Sequence, residues 1–234
     1  MFNILKVSGR ITSAAIFGLG LMFSVSAAQA ATLSFSQITA NGGTGGAAQL
    51  GVTYTDDTDG ALFAFSVIAG DNDDLNVAEI YFDDRTPLFK APMTAANIIS
   101  QTGTDFTAGS ANPKSLPGGN AVNWNTTAGL LADSAAGNTA GIQVGDELVL
   151  KLFYDGTFAF ADLSAALTSG LFRMGMHVRS HDGGYSEGYV NNIPGGGVKP
   201  PSPPPVPLPA GLPLILTALG SLVAVGRRKS RKAA

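Results

Sequence analysis

The chain of 234 residues has no cysteine. That excludes thiol catalysis, cysteine-ligated metals and disulfide staples, so any fold must be held by packing alone. Histidine is nearly missing as well: His177 and His181 are the only two. Four residues apart, they would share one face of a helix, as zinc-binding pairs do. The local pattern is instead a strand running into a glycine-rich turn, where the two rings would not converge. A structural or surface role is expected for both.

Charge is sparse, at 13% of residues. Its placement matters more than its amount. All 17 acidic residues but only six of the 14 basic ones lie between residues 31 and 198, a net charge there of −11 against −3 for the whole chain. A body of that sign repels the phosphates of nucleic acid, which need Lys and Arg. It suits solubility outside a cell and cation binding. No glycine-rich run leads into a helix through Lys-Ser/Thr, so a phosphate loop is not expected. No fixed-period repeat is present.

The positive charges that are present sit at the ends. Lys6 and Arg10 precede an apolar, uncharged run over 11–25, and Ala28-Gln29-Ala30 has the small-x-small form of a signal-peptidase site. Residues 1–30 therefore read as a signal peptide, cut after Ala30 by signal peptidase. At the other end, Pro200 to Pro209 form a proline-rich run, Val206 to Gly226 is an apolar stretch of 21 residues, and five bases follow: Arg227, Arg228, Lys229, Arg231 and Lys232. As a helix the stretch would extend about 30 Å, the thickness of a bilayer's hydrocarbon core. Its cationic end fits a cytoplasmic anchor, which leaves the preceding chain outside. The domain boundaries expected are 1–30, signal peptide; 31–192, the acidic domain; 193–205, a Gly/Pro-rich linker; and 206–234, a motif with a single transmembrane helix and a basic tail.

The C-terminal residues carry a resemblance. Val206-Pro207-Leu208-Pro209-Ala210, the apolar span, and the anchor Arg227-Arg228-Lys229 closely resemble the VPLPA variant of PEP-CTERM sorting signals of Gram-negative bacteria. A second passage resembles a segment common near the end of such proteins' extracellular domains: His177-Val178, Gly183-Gly184, Ser186-Glu187 and Val190. The resemblance implies an exosortase-like membrane enzyme as partner and cleavage near the motif. It also implies an inner-membrane-anchored precursor, with the mature form at the cell surface or among exopolysaccharide. A β-sandwich-like core without known catalysis is implied for the domain.

Between the ends, short alternating or β-branched runs recur between turn signals, the pattern of an all-β sandwich, jelly-roll or Ig-like. Expected strands are 33–38, 50–55, 61–69, 77–82, 121–125, 147–154 and 171–180, with a last short one before residue 192. Residues 61–69, apolar on both faces, are expected at the centre of a sheet. Short strands are expected near 97–100 and 105–107. Residues 128–140 read as loop. Residues 158–168 fit either a short helix started near Asp162 or the end of a strand.

Chemistry is expected to be thin, with no catalytic residue assigned. A Ser-His-Asp triad needs a nucleophile elbow, and no serine is expected to sit in a G-x-S-x-G elbow. Glycoside cleavage needs two converging carboxyl groups; Asp83-Asp84, Asp146-Glu147 and Glu187 qualify by residue type alone. The acidic turns Asp56-Asp57-Thr58-Asp59 and Asp71-Asn72-Asp73-Asp74 place oxygens at alternate positions, as calcium requires, but solvated turns use the same residues. Asp71, Asp73 and Asp74 are the calcium candidates, and no other cofactor is expected. Tyr54, Tyr81, Trp124, Tyr185 and Tyr189 are candidates for stacking on sugar rings, against the alternative that aromatics fill a core. Three functions compete: a structural or adhesive surface protein, a carbohydrate-binding module and a secreted hydrolase.

Overall fold

A computed structural model describes residues 30–43, 45–70, 74–136, 140–181 and 184–192. The expected linker, the sorting motif Val206 to Ala210, the basic anchor, Ala28, Asp71 and Asp73 lie outside them. Among the described residues, no helix is long and apolar enough to cross a membrane.

Two antiparallel sheets enclose one core. The first contains β1 (Ala30–Leu33), β3 (Leu50–Asp57), β4 (Gly60–Val67), β9 (Glu147–Phe153) and β6 (Ile98–Thr102), in the order β1-β3-β4-β9-β6. The second contains β2 (Ser36–Gln37), β11 (Tyr185–Val190), β10 (Phe172–His181), β5 (Asn76–Asp84), β8 (Leu131–Ser134) and β7 (Phe106–Ala108), in the order β2-β11-β10-β5-β8-β7. Strand alternation sends Val52, Tyr54, Phe63, Phe65, Leu148, Leu150 and Leu152 inward from the first sheet. Val77, Ile80, Phe82, Phe172, Met174, Met176 and Val178 meet them from the second. Phe63 touches both Phe82 and Phe172 with ring centroids 6.1 Å away, which ties the sheets together. Each such side chain removed from water contributes about 1.5–3 kcal/mol, which is what a chain without disulfides must rely on.

β4 is central, as expected, but only its inner face is fully buried; Leu62, Ala64 and Ser66 are half-exposed on the outer side. The expected first strand divides. β1 pairs with β3 in one sheet, the chain crosses at Ser34–Phe35, and β2 pairs with β11 in the other. Residues 158–168 resolve as the helix α1 (Phe160–Ser169). Asp162 accepts from the backbone N–H of Ala159 at 2.8 Å, satisfying one orphan donor of the first turn. Leu163, Ala166 and Leu167 face the shared core.

Two expectations fail. Residues 121–125 are not a strand: a 3-10 turn spans Gly119–Val122, and Asn123 is left-handed with φ 50°. The residues alternate in hydropathy, but Val122 and Trp124 pack onto the outer face of the second sheet instead of pairing with a strand. Conversely, the stretch expected as loop holds β8, because Leu131–Ser134 fills the place between β5 and β7. Alanine and aspartate are poor strand formers locally, and pairing overrides that.

The outer faces of the two sheets differ. Over the second sheet, residues 109–127 lie flat and build a small second core of Ala111, Leu116, Val122 and Trp124 on Tyr81, Leu131 and Val190. Two glycines allow this approach. A Cβ on Gly175 would stand 2.7 Å from Leu116, and one on Gly188 2.3 Å from the carbonyl oxygen of Pro117.

Candidate functional site

Outward-facing residues of β5, β10 and β11 make a polar row at the edge of that cover. In register, His177 stands opposite Glu79 on one side and Gly188 on the other, and Glu79 stands opposite Asp133. Ser186 is two residues from Gly188 and so shares its face. The imidazole of His177 bridges its neighbours. Its Nδ1–H donates to Glu79 Oε2 at 2.5 Å, and its Nε2 accepts from the hydroxyl of Ser186. An acceptor-only carboxylate at Nδ1 fixes the neutral tautomer with the lone pair on Nε2. The second oxygen of Glu79 accepts from Arg179.

Exposure grades along this relay: the Glu79 side chain is 0% exposed, that of His177 11%, and Ser186 is half-exposed. Burial holds the imidazole below the usual 6.5, while the charge of Asp133 works the other way. Arg179 on Glu79 offsets the pull of that carboxylate. Asp133 is raised, first by burial, against a backbone N–H from Asn112 and the proximity of His177.

Sequence reasoning missed Ser186, and the signal was in plain view. Gly184-Tyr185-Ser186-Glu187-Gly188 has the G-x-S-x-G form. Its setting differs from the strand-to-helix elbow of that motif: here the run leaves a turn and enters β11. The partners of Ser186 come from the register of three strands, not from nearby sequence.

Other candidate residues hold structure. Glu187 is fully buried; its carboxylate accepts from the backbone N–H of Asn41 at 2.8 Å and of Gly43 at 3.0 Å, and from the hydroxyl of Thr39. Burial pushes its pKa up, but those bonds outweigh it and the net direction is down. Asp83 is occupied by Arg173 and Arg85. Asp84 caps the N–H groups of Thr86 and Phe89, and Asp146 that of Gln143. Glu147 is exposed at the start of β9. All of these carboxylates except Glu147 accept a hydrogen bond or ion pair that ties them to the local fold.

Four of the five candidate stacking aromatics are buried. Tyr54, Tyr81, Trp124 and Tyr189 are each no more than 8% exposed, whereas Tyr185 is 47% exposed. Of the calcium candidates, Asp74 is exposed. The other acidic turn is a hairpin in which Lys151 binds Asp57 at 2.6 Å and Asp59 at 2.5 Å. Among the described residues, no three His, Asp or Glu side chains group as a metal site. Ala30, the expected end of the signal peptide, opens β1 and pairs with Thr55. In comparisons with known proteins, the chain matches no family model, no curated protein and no solved structure.

Proposed function

We propose that this chain is an exported surface or exopolysaccharide-associated protein with a structural or adhesive role. A signal peptide takes it across the inner membrane. The VPLPA motif, apolar span and basic tail then hold it there until an exosortase-like enzyme cuts near Pro209. The observation that carries this reading is the pair of address-like ends around a body of net charge −11. The folded body fits such a role: it is packed around one core without cysteine. Its nested pairing of distant strands, β2 with β11, β4 with β9 and β5 with β10, favours a jelly-roll over an Ig-like arrangement.

The test is to express the full chain with and without an exosortase, fractionate the cells and weigh the product intact. The expected product lacks residues 1–30 and those beyond about Pro209, and leaves the membrane only when the exosortase is present. A full-length product with both ends intact in the cytosol overturns the reading.

A further inference from the structure

We propose that Ser186 is an activated nucleophile, with His177 as its general base and Glu79 positioning the imidazole, acting on neutral short-chain esters such as acetyl groups on an exposed polymer. The inference goes beyond a structural role and stands independently of export.

Three observations converge. The hydrogen-bond order Ser186 to His177 to Glu79 gives the serine a proton acceptor whose far side is held by a carboxylate. That is the arrangement nucleophilic catalysis by a hydroxyl requires. Accessibility follows the same order, with the nucleophile half-exposed and its partners buried. The imidazole is held on both sides, since Arg179 fixes the second oxygen of Glu79 and the strand ladder sets Glu79 directly opposite His177. Gly184, two residues before the serine, is exposed. A body with 17 acids and six bases between residues 31 and 198 disfavours anionic substrates, hence the neutral ester.

The step balances. The Ser186 proton moves to His177 Nε2 as Oγ bonds the ester carbon. The ester C–O bond breaks, and the proton passes from Nε2 to the leaving alkoxide. Water, deprotonated by the same nitrogen, then releases the acid and restores the serine.

Full-length protein in detergent is treated with a fluorophosphonate and, separately, with p-nitrophenyl acetate. We expect an adduct on Ser186 that requires the folded state, absent in Ser186→Ala and slowed at least about 100-fold in His177→Gln. Its rate should rise with pH through an inflection below 6.5, shifted lower still in Glu79→Gln, a change that mere loss of packing would not give. Folding is checked by urea midpoint for each variant. A second probe avoids buried substitutions altogether: in this cysteine-free chain, Ser186→Cys should react with iodoacetamide faster than Ser100→Cys on exposed β6. Labelling of Ser186 no faster folded than in urea, unchanged in His177→Gln, or equal rates for the two cysteines would each overturn the proposal.

Discussion

Arg173 and Asp83 face each other across β10 and β5, and both side chains are almost wholly inside, 0% and 1% exposed. Nε of Arg173 donates to Asp83 at 3.0 Å, and the remaining donors reach the carbonyls of Val122 at 2.9 Å and Asn123 at 2.7 Å. Trp124 lies over the guanidinium at 5.2 Å. One side chain therefore pins the 109–127 excursion to the sheet while neutralising a buried acid.

Arg173→Ala should cost about 3–5 kcal/mol, because it strands Asp83 and frees two carbonyls at once. Arg85, also on Asp83 at 3.1 Å, softens the loss. Urea unfolding of the variant measures it. A double change, Arg173→Met with Asp83→Leu, should recover much of the stability, since the one charge that loses its partner, Arg85, is partly exposed to water. If the single variant unfolds at the wild-type midpoint, the pin does not exist.

Lys151 offers the contrast. Its pairs with Asp57 and Asp59 lie on a hairpin whose acids are 33% and 64% exposed. Water and salt screen such contacts, so Lys151→Met should change stability by no more than about 1 kcal/mol, and less at high salt. Equal losses for Lys151→Met and Arg173→Ala would contradict the difference in burial.

Trp124 tests the cover itself. It is the single tryptophan, 8% exposed, and its Nε1 donates to Thr126 at 2.8 Å. Fluorescence should be blue-shifted and resist acrylamide. Trp124→Ala should cost about 3–5 kcal/mol through the cavity left over Gly175. Sugars should leave the emission unchanged, because the ring faces protein rather than solvent. Free quenching by acrylamide would place the ring outside.

How much of this the residues themselves announce depends on how local the cause is. β3, β4 and β9 follow from alternation: every second side chain is apolar and turns inward. β5 reads as a strand too, yet no local pattern tells that Tyr81 and Asp83, facing away from the main core, are buried by chain some thirty to forty residues later, as the 2.9 Å bond from the Tyr81 hydroxyl to Pro113 shows. β8 and the turn at 119–122 were misread for that reason. They exist because of what they pair with or cover, not because of their own propensity. The relay is a mixed case. Gly184 to Gly188 is legible, but Glu79 reaches His177 from 98 residues away through strand register alone.

Acid should loosen the fold in two separable steps, and the signs agree. His177 has a folded pKa below its ordinary 6.5, burial being the main cause. In that window the unfolded chain binds more protons, so stability is complete above 6.5 and falls as pH drops through the folded value. Glu187 is likewise depressed below 4.5, because the Thr39, Gly43, Asn41 and Gln37 donors outweigh its burial. Its contribution is complete above 4.5 and is lost as pH drops through its own folded value. His177→Gln should flatten only the upper step in a urea-midpoint profile. Glu187→Gln should flatten only the lower one, while Glu187→Ala should cost about 2–3 kcal/mol at neutral pH by leaving the Asn41 and Gly43 donors without an acceptor. The two residues lie on one strand pair, Val178 opposite Glu187. Loss of both steps in either single variant would mean that the Glu187 clamp and the His177 relay titrate as one unit.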